Sequence, residues 1–216
     1  MNRLENHYDS APPSLIQGDA KTPAMQGFDT EFTDLVDYIL RITHRIWEGK
    51  QVGLCYDYYS ADCPVYALSG VTIGAAEVTQ NTLATLASFP DRSLNAVNVI
   101  CGGDDISGFH SSHLISSHMT NLGDSDWGPA TGREATILVI AHCILKNNQV
   151  VEEWLVRDNY SLAQQLGHDP HEVAQAWASK PISSRLQNWR SAELERLRDQ
   201  VAVSYTHLTL PTIYSV

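Results

Sequence analysis

The segment "VVEEWLVRDNYSLAQQLG" (Val150–Gly167) reads as a β-strand that hands over to a helix. A period of two puts Val150, Glu152, Trp154, Val156 and Asp158 on one face, and Val151, Glu153, Leu155 and Arg157 on the other. A carboxylate in apolar company must be hydrogen-bonded, paired or protonated, because a bare buried charge is too costly. Asp158 therefore has two readings. It is a structural acid, most simply the N-cap of the helix that follows, or it is a proton-transfer group. Residue types alone favour the cap.

Upstream, "REATILVIAHCIL" reads as the partner strand, joined through "KNNQ". A three-residue loop, Lys146-Asn147-Asn148, places Asn148 in the left-handed conformation and sets Leu145 against Gln149, His142 against Glu152 and Thr136 against Asp158. A two-residue loop would flip one strand relative to the other; the three-residue form is adopted. One hairpin face then carries Thr136, Leu138, Ile140, His142, Glu152, Trp154, Val156 and Asp158, a mixture suited to a concave pocket. His142 with Glu152 reads equally well as an ordinary cross-strand pair. The other face (Ile137, Val139, Cys143, Val151, Leu155) is too apolar for water and could pack on another subunit or on helices; a homodimer through the sheet is the expectation.

Further out, Phe32, Leu35, Val36, Ile39, Leu40, Ile46 and Trp47 recur at helical spacing and Gly49 is placed to end that helix. Trp47 is more simply core than ligand contact. A short strand at 63–68, a Ser69-Gly70 turn, a second short strand and a helix from about Ala75 to Ser88 follow. Then come "RSLNAVNVICGG" and "SGFHSSHLISSHMT", which complete a run of antiparallel strands. Helix, hairpin, helix and then successive strands indicate an α+β fold rather than alternating α/β. In the second of these strands His110 and His118 share a face and His113 lies opposite, so the three do not converge as a metal triad.

Residues 1–27 read as a flexible leader, rich in Pro, Ser, Asn and Gln, with no apolar run of a secretory signal. Residues 169–202 read as C-terminal helices. Residues 203–216, "VSYTHLTLPTIYSV", hold no charged side chain and resemble a translated sequencing adapter, as at the broken end of a metagenomic gene. Native sequence is then expected to stop near Ala202. The chain's net charge of −11 argues against a nucleic acid or an anionic membrane as partner, and no stretch approaches the roughly 20 apolar residues of a membrane span. Cys55, Cys63, Cys101 and Cys143 form no paired motif, which points to a reducing, cytoplasmic setting.

"FPDRSLNAVNVICGGDD", "SHMTNLGDSDWGPATGR" and "NNQVVEEWLVRDNYSLAQQLG" together resemble the SnoaL-like polyketide cyclases, within the nuclear-transport-factor-2-like superfold. Phe89-Pro90-Asp91, His118 with Thr131-Gly132, and Glu152, Trp154 and Asp158 with Gln165-Leu166-Gly167 carry the likeness, which covers residues 28–168. The resemblance implies a cystatin-like cone, a curved antiparallel sheet wrapped around the N-terminal helix with a cavity at its mouth. It implies ring closure by acid/base chemistry on a hydrophobic carbonyl compound without metal or cofactor. Asp158 would be the general acid/base, with His118 beside it as a second catalytic group. Substrate contacts would come from His142, Trp154, Glu152, Tyr66, Trp47 and Phe89. A non-catalytic ligand-binding or dimerising module of the same fold is the alternative.

Overall fold

The computed structural model describes residues 25–179. The leader up to residue 24, the second C-terminal helix expected beyond Pro181 and the adapter-like tail lie outside the described residues.

Helix α1 (Leu35–Thr43) starts where Asp34 accepts the Asp37 backbone N–H on its side chain. Its last turn widens into a π-type turn over His44–Glu48, closed by the Gly49 N–H on the His44 carbonyl. Helix α2 (Cys55–Tyr58) is a single turn, too short to leave a periodic signal in the sequence. Strands β1 (Pro64–Ala67) and β2 (Gly70–Ile73) make the short hairpin, and α3 spans Gly74–Ser88. Four longer strands follow: β3 (Ser93–Asp104), β4 (Gly108–Thr120), β5 (Glu134–Lys146) and β6 (Gln149–Arg157). Helices α4 (Asn159–Leu166) and α5 (Pro170–Ala178) close the described chain.

The six strands lie in the order β2-β1-β6-β5-β4-β3, antiparallel except where β1 runs parallel to β6. One face of this sheet packs on α1: Phe28, Tyr38, Ile39, Ile42 and Ile46 form a core with Phe109, Cys143, Leu145 and Val150. Met25 already packs against this core, a little before the expected boundary at residue 28. A second core joins Ile115, Met119, Ile137 and Val139 of the sheet to Leu162 and Leu166 of α4. This is the α+β cone expected from the sequence.

The β5–β6 register corrects the sequence reading. Asn147 and Asn148 both have positive φ (49° and 66°), the signature of a two-residue mirror-image turn, so Lys146 pairs with Gln149. Tertiary contacts hold that turn: Asn148 Nδ2 donates to Asp29 Oδ2 (2.8 Å) and Tyr38 Oη donates to the Asn148 carbonyl (2.8 Å). A bulge then sets Ile144 against Glu152, after which His142 faces Trp154 and Ile140 faces Val156. Turn and bulge together shift the expected pairing by two residues, which changes partners but leaves beyond the bulge the same residues on each face. Val150 lies before the bulge and points into the core, away from Glu152 and Trp154.

Which face is inside is also the reverse of expectation. Ile137, Val139 and Cys143, assigned above to a dimer interface, are buried within the cone. The row taken for the pocket faces out: Leu138, Ile140 and Val156 are 55%, 44% and 65% exposed. Both faces are apolar in sequence; α1 and α4 choose between them by covering one.

Candidate functional site

Between the inner sheet face, α1, α3 and the β4–β5 connection lies a cavity of about 700 Å³. Trp47 from the end of α1, Phe89 after α3, Ile115 from β4, Val139 from β5, Leu155 from β6 and Trp127 from the connection supply apolar wall. The connection is held in shape by the buried Asn121, which accepts the Thr131 N–H on Oδ1 (2.9 Å) and donates from Nδ2 to the Gly123 carbonyl (2.8 Å). Helix α5 is tied to it by Trp177 Nε1, which donates to the Asp126 carbonyl (3.0 Å).

Among the polar side chains that line this volume are Tyr59, Arg92, His113, Glu153 and Arg157. Glu153 sits on the inner face of β6 and is 5% exposed. Tyr59, brought in by the segment after α2, donates its hydroxyl to Glu153 Oε2 at 2.9 Å. Burial pushes the Glu153 carboxyl up to about 7, and the Tyr59 hydrogen bond, Arg157 and Cys143 partly oppose that rise. The same burial drives the Tyr59 hydroxyl far above its ordinary range, so Tyr59 stays a proton donor.

Arg157 lies two residues farther along the same strand face, and its buried Nε has no hydrogen-bond partner. Arg92, after the Phe89-Pro90-Asp91 turn, is buried and donates from Nε to Ser117 Oγ (3.1 Å). Neither arginine forms an ion pair among the described residues. His113 points inward from β4 with both ring nitrogens unpartnered, and burial holds its imidazole down at about 4. At neutral pH that ring is uncharged. Together these groups offer a half-ionised carboxyl, neutral donors and two cations around an apolar volume. Such a site can take a proton from carbon next to a carbonyl and stabilise the oxyanion that results.

Of the eight residues expected from the sequence, Trp47 and Phe89 line the cavity. Asp158 does not. Its Oδ1 accepts the Ser161 N–H at 2.9 Å, so it is the N-cap of α4 and is exposed. His118 is on the outer sheet face, with Nδ1 3.0 Å from Thr136 Oγ1. His142, Trp154 and Tyr66 form an outer cluster: Tyr66 stacks on Trp154 at 5.5 Å, and Ser112 Oγ lies 2.9 Å from His142 Nδ1. Glu152 shares that outward row and faces Ile144, not His142. The residues that do converge carried one signal. Glu153 and Arg157 stand four apart on a strand face that is otherwise aliphatic, and an acid and a base do not share such a face without a task. Tyr59 and Arg92 left no comparable trace, since both reach the site only through the fold.

The family model for SnoaL-like polyketide cyclases matches residues 38–166, more than half of the chain. The chain belongs to that family. No curated protein sequence matches it. Solved structures with the same fold include a protein of Jannaschia sp. CCS1 described as SnoaL-like polyketide cyclase, at 13% identity and TM-score 0.58, covering 69% of this chain and 97% of that one. TsrD from Streptomyces laurentii aligns at 15% identity and TM-score 0.54, covering 61% and 94%. A SnoaL-like polyketide cyclase from Agrobacterium tumefaciens aligns at 15% identity and TM-score 0.50, covering 61% and 97%. At these identities the likeness establishes the fold. Asp158, the acid that the resemblance singled out, caps α4, whereas Glu153 is the buried acid on the cavity wall. Among the described residues no cluster of three or more His, Cys, Asp or Glu could hold a metal, and no helix is long and apolar enough to cross a membrane.

Proposed function

We propose that this protein is a cofactor-independent lyase or isomerase that moves a proton on a hydrophobic carbonyl compound, with Glu153 as the general acid/base. The observation that carries the reading is the Tyr59–Glu153 pair: a carboxyl on the cavity wall, held by a hydroxyl at 2.9 Å and raised to about 7. A carboxyl so placed is as ready to take a proton as to give one at neutral pH. In the proposed step the Glu153 carboxylate removes the proton α to the substrate carbonyl. The electron pair of the broken C–H bond moves into an enolate, and the oxyanion is met by a guanidinium or by a neutral donor such as His113. Returning the proton at another carbon isomerises the substrate; attack of the enolate carbon on a second carbonyl closes a ring.

The test uses 2-tetralone in D₂O, followed by loss of the α-proton signal in NMR. The wild-type chain is expected to accelerate exchange, Glu153→Gln to lose roughly a hundredfold or more of that acceleration, and Asp158→Asn to keep it. The base form of Glu153 accumulates as pH rises through about 7, so the enzyme-dependent rate should climb across that range and level off above it. Full exchange by Glu153→Gln would refute the assignment of the base, and no acceleration by the wild-type chain would leave a binding module of the same fold. The four cysteines within the described residues are unpaired, which fits a cytoplasmic setting. A homodimer is retained in this proposal, on the outer sheet face rather than the one expected from sequence.

A further inference from the structure

Two arginines share the cavity with one carboxyl. Arg92 is buried, and its guanidinium is opposed both by the loss of water and by the charge of Arg157; no carboxylate acts on it to offset either. Arg157 has Glu153 as its nearest compensating charge, yet they make no ion pair within 4.0 Å and its Nε stays unpartnered. Glu153 is committed to Tyr59 and is only half-ionised near neutrality. The remaining acids at the cavity, Asp124 and Asp126, stand on the water-exposed rim, where Asp124 Oδ1 accepts the Ala130 N–H. Guanidiniums keep their charge at any pH a folded protein meets, so the interior carries a positive excess. Burying such charge without a partner is costly, and a sequence that keeps two such groups at one cavity has a use for the excess.

We propose that the cavity's ligand carries an anionic group, a carboxylate, seated on Arg92 and Arg157, with its hydrophobic body against Trp47, Phe89 and Ile115. The inference rests on the reading above that this cavity is the working site, and it narrows the substrate class from a hydrophobic carbonyl compound to a hydrophobic keto acid or its like. A planar carboxylate matches the fork of a guanidinium and neutralises charge that Glu153, half-ionised and held by Tyr59, only partly offsets. The apolar walls raise the value of that pairing because they exclude competing water.

Isothermal titration of the full chain with naphthalene-2-carboxylate and with naphthalene-2-carboxamide isolates the charge, since the two probes share size and ring. The carboxylate is expected to bind at least roughly tenfold more tightly, in line with a charge-assisted hydrogen bond in a buried site. Arg157→Gln and Arg92→Gln should each erase most of that preference, and Arg157→Lys should keep part of it. Equal affinity of the wild-type chain for both probes overturns the inference, and that comparison needs no variant to fold. Binding of neither probe overturns it too, together with the cavity as a ligand site. The function reading fails separately: it falls if Glu153→Gln retains full α-proton exchange, whichever probe is preferred. A carboxylate preference that survives both arginine substitutions would also overturn the assignment to these side chains.

Discussion

Asp158 and Glu153 stand five residues apart in one short segment, yet the fold gives them opposite surroundings. The Asp158 carboxyl turns toward the amide of Ser161 and leaves the cavity wall to its inward neighbour Arg157. Around it, Gln165 ties α4 to β5 by accepting the Thr136 N–H (2.9 Å) and donating to the Thr136 carbonyl (3.0 Å). Gly167 ends α4 with φ 86°, where a Cβ would meet the Arg133 guanidinium at 2.4 Å. So Asp158, Gln165 and Gly167, which look like a functional signature in sequence, dock and delimit a helix. Removing the cap should therefore cost stability and not turnover. Asp158→Ala is expected to lower unfolding free energy in urea by about 0.5–2 kcal/mol, and Asp158→Asn by much less, because Asn caps nearly as well. Loss of α-proton exchange in Asp158→Asn with stability intact would return the catalytic role to Asp158 and sink the relocation to Glu153.

At the scale of elements, the four long strands were readable from alternation and turn residues to within one residue at either end. What could not be read was the turn between β5 and β6. Asn tolerates a left-handed conformation at one or at two successive positions, and Asp29 and Tyr38, distant in sequence, hold the two-residue form. Nor could alternation say which face the helices cover, because Leu138, Ile140 and Val156 are as apolar as Ile137, Val139 and Leu155. Glu153, Tyr59 and Arg92 were missed for that reason: a site inside a cone is assembled by the covering helices, not by any one motif. The same inversion moves the proposed dimer contact. Ile100, Leu138, Ile140 and Val156 are exposed together on the outer face of β3, β5 and β6, and a second copy of this chain is the occupant we propose for them. Light scattering at micromolar concentration should give a dimer for the wild-type chain and a monomer for Ile140→Lys with Val156→Lys. A dimer in that double variant would place the contact elsewhere.

For the whole molecule, two buried titratable groups pull stability in opposite directions with pH. Glu153 sits at about 7 in the fold against an ordinary 4.5, so the folded state holds the proton more tightly than the unfolded chain. Its contribution is full below the unfolded value of 4.5 and is lost as pH rises through about 7. His113 sits at about 4 against an ordinary 6.5, so the folded state prefers the neutral ring; its contribution is full above 6.5 and is lost as pH falls through about 4. Asp37 and Glu31, held low by Arg41 and Arg45 respectively among other groups, also lose stabilisation in acid, so an acid-side decline alone does not isolate His113. Comparison with Glu153→Gln isolates Glu153, because His113, Asp37 and Glu31 are common to both proteins. Urea unfolding of the wild-type chain and of Glu153→Gln should therefore be compared from about pH 5 to about pH 8. Glutamine keeps the shape and a hydrogen bond to Tyr59 but cannot ionise, so the wild-type chain should lose stability relative to the variant as pH rises across that interval. The largest relative change should fall where the unfolded acid is already ionised and the folded one is not. A difference between the two proteins that stays constant over the whole range would mean that Glu153 titrates as an ordinary carboxylate. That result would remove the physical basis for its role as the cavity's acid and base.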